Sequence, residues 1–232
     1  MADTLMAPPE EVDVSPPPRN SVRVALLASI GVLVLVIAVG GGFIWGSAGN
    51  SGSSALYVPG SNSVDGGFAR DMATHHQQAI TMATYANDNS TNGLVRNVAY
   101  DIESSQSIEM GEMEGWLLQW HISRNTNSPM KWMAGHHFDI GPNGLMPGMA
   151  TPAQMTKLMS LHGHALDIMF LQLMIHHHQG GVQMALYAAQ HAHFAYMRNL
   201  AQHMYNNQTA EIVQMEQLLR QLGGSPLPPP TD

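Results

Sequence analysis

Apolar positions along the chain fall into two pairs of helical stripes. Positions 65, 68, 72, 75/76, 79, 82/83 and 86 recur every three or four residues, which predicts a helix with one buried face. After the polar turn NDNSTNG, a second stripe follows at 95, 98/99, 102, 106, 109, 113, 117 and 120. The same pair returns from Asp167 to about Leu222, where Gly223 and Gly224 supply a helix stop. Thr151, Pro152 and Gln154 have the spacing of a capped helix start, predicting a short lead-in helix of one to three turns before Gly163. Runs that alternate apolar and polar residues are absent, so nothing reads as a sheet.

The second pair of stripes is a copy of the first. Shifted by 102 residues, Asp65, Phe68, Met72, His75, His76, Gln77, Met82, Ala83, Tyr85 and Ala86 meet identical residues, from Asp167 to Ala188. The same shift brings Arg96, Asn97, Ala99, Gln106, Glu109, Met113, Glu114, Leu117 and Gln119 onto identical residues, from Arg198 to Gln221. Patterning alone does not produce this many identities without a gap. The expected fold is therefore all-α: two duplicated helical hairpins, units 65–120 and 167–222, packed as a four-helix bundle over 64–224 with a connector at 121–166.

The N-terminal part has a different pattern. Val24 to Trp45 is a run of twenty-two residues without a charge, long enough to cross a hydrocarbon core of roughly 30 Å. It reads as a transmembrane helix. Arg19 and Arg23 precede it and no Lys or Arg follows until Arg70, which places residues 1–23 in the cytoplasm and the bundle outside it. A cleaved signal peptide is the rival reading, since Ser47 and Ala48 are small, but the apolar run exceeds an h-region of about 7–15 residues. The proline-rich segment before the anchor and the tail at 225–232 are expected to be disordered or extended, and 46–63 to be a flexible linker.

Composition sharpens the chemistry. Only 11% of residues are charged, whereas there are 13 histidines and 18 methionines. All the histidines and all but two of the methionines lie between Asp65 and Leu222. Beyond the anchor, acidic residues outnumber basic ones, which argues against a nucleic-acid partner. There is no cysteine, so a soft metal ligand has to be methionine.

The candidate chemistry sits on the stripes themselves. Met72, His75 or His76, and Met82 share a stripe with Phe68 and Ala79; Glu109 and Met113 continue the line of Ile102 and Gln106. A carboxylate on an apolar stripe is costly unless it is paired or binds a cation. Duplication adds Met174, His177, His178, Met184, Glu211 and Met215. Imidazole with thioether suits copper, thioether favouring Cu(I). Each feature has a plainer reading. Methionines at helical spacing fill cores. Adjacent histidines put only one ring on a given face, leaving the other open to solvent. Glu109 and Glu211 can close a metal-free hydrogen-bonded network with the inward histidines. Gly180 and Gly181, replacing Gln78 and Ala79 of the first unit, mark either a close helix crossing or space for a ligand beside His177 and His178. The connector, with Met130, Met133, His136, His137, Met146 and Met149, is either a cap over one end of the bundle or a further copper site. His162, His164, His191 and His193 read as surface residues.

The segments DGGFARDMATHHQQAITMA (65–83) and MPGMATPAQM with DIMFLQLMIHHHQGGVQMA (146–185) resemble the family catalogued as domain of unknown function 305. The resemblance spans residues 65–222. It implies a ferritin-like four-helix bundle, usually exported or membrane-anchored, with copper binding in some relatives. By motif it points to Met72, His75, His76 and Met82, and to Met174, His177, His178 and Met184. The Glu-x-x-His pair of di-iron bundles is missing, since Glu112 follows Glu109 and Gln214 follows Glu211 at that spacing. The expected function is a single-pass, membrane-anchored, extracytoplasmic protein that buffers, sequesters or transfers copper, with a copper-transfer or membrane-complex partner. No separate substrate site is legible, which favours a binding protein over an enzyme. The alternative is a structural subunit of a membrane complex whose buried His/Glu network holds no metal.

Overall fold

A computed structural model describes residues 57–133, 135, 140–141 and 143–230. The cytoplasmic segment, the anchor at 24–45, most of the linker, His136 and His137 lie outside the described residues. Among the described residues all regular structure is helical: α1 (Val64–Asn89), α2 (Gly93–Gln119), the short α3 (Pro152–Leu158), α4 (Gly163–His191) and α5 (Ala195–Gln221), with a 3-10 turn at Lys131–Met133. None of these helices is long and apolar enough to cross a membrane.

Local sequence explains where the helices begin and end. The Ser63 side chain accepts from Gly66 N and caps α1, and Asn92 caps α2. Thr151 and Gln154 form the full capping box of α3, with Pro152 at the first turn. Gly223, at φ 77°, ends α5, its N–H donating to Arg220 O. The N-terminus of α5 has no cap of its own, since Phe194 carries no side-chain acceptor. Asp65 of the other hairpin supplies it, accepting from His193 N and Phe194 N at 2.9 and 3.0 Å. Its duplicate Asp167 accepts from Ser90 Oγ at 2.6 Å, in the turn between α1 and α2. Each hairpin therefore holds the turn of the other through the same duplicated aspartate.

α1 packs along α2 and α4 along α5, and the two hairpins meet mainly through α1 and α4. The apolar interior separates into two clusters. One contains Met82, Met174 and Met215; the other contains Met72, Met113 and Met184. Duplicated residues thus lie in opposite clusters, as an approximate twofold relation between the hairpins requires. All six are fully buried, each contributing about 1.5–3 kcal/mol of transfer free energy.

The connector covers the second cluster, burying Met130, Trp132, Met133 and Met146 there. It is fastened by Asp71, which accepts from Arg70 Nε (2.8 Å), Arg70 Nη2 (3.1 Å), Met130 N (2.7 Å) and Trp132 Nε1 (2.9 Å). Gly67 makes room for the indole, because a Cβ there would lie 2.4 Å from the Trp132 ring.

The proline-rich tail differs from a free disordered end. It runs extended along α4, where Gln172 Nε2 donates to Ser225 O at 2.8 Å and His176 Nδ1 lies 2.9 Å from Pro228 O. Leu227 packs against the first cluster. A backbone already restricted by proline loses little entropy on docking, so a few contacts suffice to hold it.

Candidate functional site

All four motif histidines are buried: His75, His76 and His178 are 0% exposed and His177 is 1% exposed. The plainer reading, in which one ring of each pair is solvated, therefore does not hold. Adjacent rings diverge by about 100° on a helix, but α1 and α4 are each covered on two sides. On α1, His76 turns toward α2, where its Nε2 is 2.9 Å from Glu109 Oε2. On α4, His178 turns toward α5, with Nε2 2.8 Å from Glu211 Oε2. His75 and His177 turn toward each other across the hairpin interface, their ring centroids 3.7 Å apart and their planes at 35°.

The hydrogen bonds of the stacked pair set their tautomers. His75 Nε2 lies 3.0 Å from Pro147 O, and His177 Nε2 lies 3.1 Å from His75 O. A carbonyl oxygen only accepts, so both Nε2 atoms carry the proton and both Nδ1 atoms are bare lone pairs. No partner reaches Nδ1 of His75, His76, His177 or His178. Both amide atoms of Gln106 and of its duplicate Gln208 are unpartnered too. Buried polar atoms are nearly always bonded, so six such side chains in duplicated positions are a strong exception.

Burial also sets the charge of the layer. His75 is held down to about 3 by burial, against the opposing hydrogen bond to Pro147 and with further lowering from His76 and His178. His76 is likewise held down to about 3, by burial and then by His178. His177 falls well below the usual histidine range for the same first reason, with His75 adding to it. Glu109 is raised to about 7, by burial and by the neighbouring Glu211, while His178 and His203 pull it back. The stacked imidazoles are therefore neutral at physiological pH, and neutral imidazole is the form that binds metal.

Gly180 makes room for the connector backbone, and Gly181 for side chains of the neighbouring helices α1 and α5. A Cβ at Gly180 would lie 2.1 Å from Pro147 O, so the connector backbone rests directly on α4 there. A Cβ at Gly181 would meet Gln208 Oε1 at 2.5 Å and His75 Cε1 at 3.3 Å. The first unit has no such approach: Gln78 instead clamps the connector, bonding Ala150 O at 2.9 Å and accepting from Ala150 N at 2.7 Å. The two halves differ here because one connector serves both. Gly180→Ala is expected to cost about 1–3 kcal/mol and to displace Pro147 from His75; urea unfolding and the His75 imidazole NMR signals would check it.

The predicted site residues thus divide. His75, His76, His177, His178, Glu109 and Glu211 come together in one layer, whereas the six methionines sort into the apolar clusters on either side. Among the described residues, no three His, Asp or Glu side chains converge as a metal site. The tetrahedral set of structural zinc and the carboxylate set of di-iron bundles both need such convergence. His162, His164, His191 and His193 are exposed, as expected. The sequence reading missed the Pro147 carbonyl, an atom without side-chain identity, and His203, whose counterpart is Asp101 and which the repeat could not single out.

A helical bundle enclosing a twice-repeated His/Glu layer defines the class of this protein. Residues 65–219 match the family described as Domain of unknown function (DUF305), and the chain belongs to it. It is similar to a putative secreted DUF305 protein from Streptomyces coelicolor, at 38% identity and a TM-score of 0.66, covering 73% of this chain and 99% of that one. A DUF305 fragment from Deinococcus radiodurans is 30% identical, with a TM-score of 0.55, covering 66% and 93%. CopM in its Cu(I)-bound form is 28% identical, with a TM-score of 0.52, covering 69% and 98%. Structures of CopM also exist in Cu(II)-bound, Ag-bound and apo forms. No curated protein matches the chain.

Proposed function

We propose that this protein binds copper, as Cu(I), in the buried histidine layer, and that it buffers the ion or hands it on outside the cytoplasm from a single-pass membrane anchor at 24–45. One observation carries the reading: four buried imidazoles have unpartnered Nδ1 atoms, and in His75 and His177 the carbonyl bonds leave that atom as a lone pair. Neutral nitrogen donors in a buried interior suit a soft monovalent cation, whose desolvation is less costly than that of a divalent one. Copper is the cargo here. His75, His76, His177 and His178 are the ligand candidates, and Glu109 and Glu211 orient His76 and His178 through their Nε2 atoms. Met72, Met113 and Met184 on one side, and Met82, Met174 and Met215 on the other, offer thioethers at the flanks of the layer. Similarity to CopM, which has been solved with Cu(I), supports the assignment. A ferritin-like bundle, in which facing helices carry inward ligands, is the architecture this reading assumes.

A second reading rests on the His76–Glu109 and His178–Glu211 bonds, which already give two imidazoles a partner. The layer would then be a metal-free network inside a structural subunit of a membrane complex. Anaerobic Cu(I) competition titration with elemental analysis separates the two. The full-length chain is expected to bind stoichiometric copper with a Kd well below about 1 μM, and the variant H75Q/H76Q/H177Q/H178Q to lose it. Equal background copper in both folded proteins would favour the structural reading.

A further inference from the structure

We propose that Met146, Met149 and His176 form a second, surface site for a soft monovalent cation, Cu(I) or Ag(I), in the open cavity bordered by the C-terminal tail. The inference rests on the copper reading above and assigns the place where the ion first binds.

The cavity, of about 410 Å³, lies between the connector and α4 and is lined by Met146, Met149, Gln154 and His176, with Leu227 and Pro228 of the tail across it. None of its described lining residues is charged. A hard divalent ion would find no carboxylate there, whereas two thioethers and an imidazole are donors a soft ion prefers. The methionines are set by a tight turn, Met149 N donating to Met146 O at 3.1 Å. Met146 is buried against the second apolar cluster and Met149 is half-buried, and both line the cavity.

His176 is prepared in the same way as the stacked histidines. Its Nδ1 lies 2.9 Å from Pro228 O, an acceptor, so Nδ1 carries the proton and Nε2 keeps the lone pair. The tail thereby fixes the imidazole as a donor in addition to forming one wall of the cavity.

The turn packs directly against the backbone of this histidine. Gly148 has φ 78°, a conformation that L side chains rarely adopt, and a Cβ there would lie 2.5 Å from His176 O. Between Met146 and Gly148 stands Pro147, whose carbonyl bonds His75 Nε2. One peptide unit therefore separates the surface cavity from the buried layer. An ion held by Met146 and Met149 lies beside the residue that positions His75, which fits a loading site feeding that layer.

The test uses the full-length chain labelled at methionine methyl carbons and titrated with Ag(I), which avoids redox chemistry. Met146→Leu and Met149→Leu assign the signals. Both methyl resonances are expected to shift, and Met149→Leu and His176→Gln each to lose one Ag(I) equivalent and to load the histidine layer more slowly without changing its final occupancy. The shifts should persist in H75Q/H76Q/H177Q/H178Q, so that failure of the buried site and failure of this one read differently. Should that variant not fold, Met149→Leu in the native background decides alone, because it alters no buried histidine. Unmoved Met146 and Met149 methyls at saturating Ag(I), or an unchanged stoichiometry in Met149→Leu, would overturn the assignment.

Discussion

The metal-free protein is expected to lose stability steeply as the pH falls from 6.5 toward 4. His75 and His76 are held to about 3 in the fold, and His177 well below its ordinary value, 6.5 for all three. The unfolded chain takes up protons that the folded layer excludes. A histidine depressed by folding contributes fully above its unfolded pKa, and the contribution is lost as pH drops from there toward the folded value. Each such group changes the unfolding free energy by up to about 1.4 kcal/mol per pH unit. Glu109 acts in the opposite direction. Raised from 4.5 to about 7, it binds its proton earlier in the fold, and so offsets about one histidine between pH 7 and 4.5. The net slope is about 2–3 kcal/mol per unit below pH 6, enough to exhaust a typical stability of about 5–15 kcal/mol within a few units. Urea midpoints at pH 7.5, 6 and 5 measure it; a midpoint constant across that range would mean that the histidines are hydrated or paired in a way the structure lacks.

Asp71→Ala is expected to destabilise the fold by about 3–5 kcal/mol, the usual cost of removing one partner from a buried ion pair. Arg70 is 2% exposed and would keep only its Nη1 bond to Ser61 O at 2.7 Å. Met130 N and Trp132 Nε1 would lose the acceptor that fastens the connector, each orphaned donor adding its own desolvation cost. Because Trp132 packs edge-on against Phe68 at 5.7 Å, its release should shift tryptophan emission to the red before global unfolding. Asp71→Asn keeps an acceptor oxygen without the charge and should fall between the two. A loss below about 1 kcal/mol for Asp71→Ala would indicate that the connector is held chiefly by the burial of its methionines.

The helices and the duplication were legible because both are local properties. A 3.6-residue period depends only on the chain's own geometry, and the repeat is a comparison of the chain with itself. The capping box at Thr151 and the glycine stop at Gly223 were legible for the same reason. The candidate histidines and glutamates were legible as types of residue on a stripe, and the choice between metal ligand and hydrogen-bonded partner stayed open for Glu109 and Glu211. Their 2.9 and 2.8 Å contacts to His76 and His178 are set by hairpin packing.

Three features were beyond the sequence. The period of a helix marks one buried stripe, but burial of both histidines in each pair requires α1 and α4 to be covered from two directions. The close approach at Gly180 involves the Pro147 carbonyl, a backbone atom that any residue would present. The tail's docking depends on His176 and Gln172 being in reach of a segment about fifty residues away. By itself, then, the sequence determined the helices, their duplication and the soft, cysteine-free donor chemistry, since these follow from spacing and residue type. Only the tertiary structure decided which lone pairs remain bare, because that depends on which carbonyl or carboxylate a neighbouring element brings within 3 Å or so of each ring.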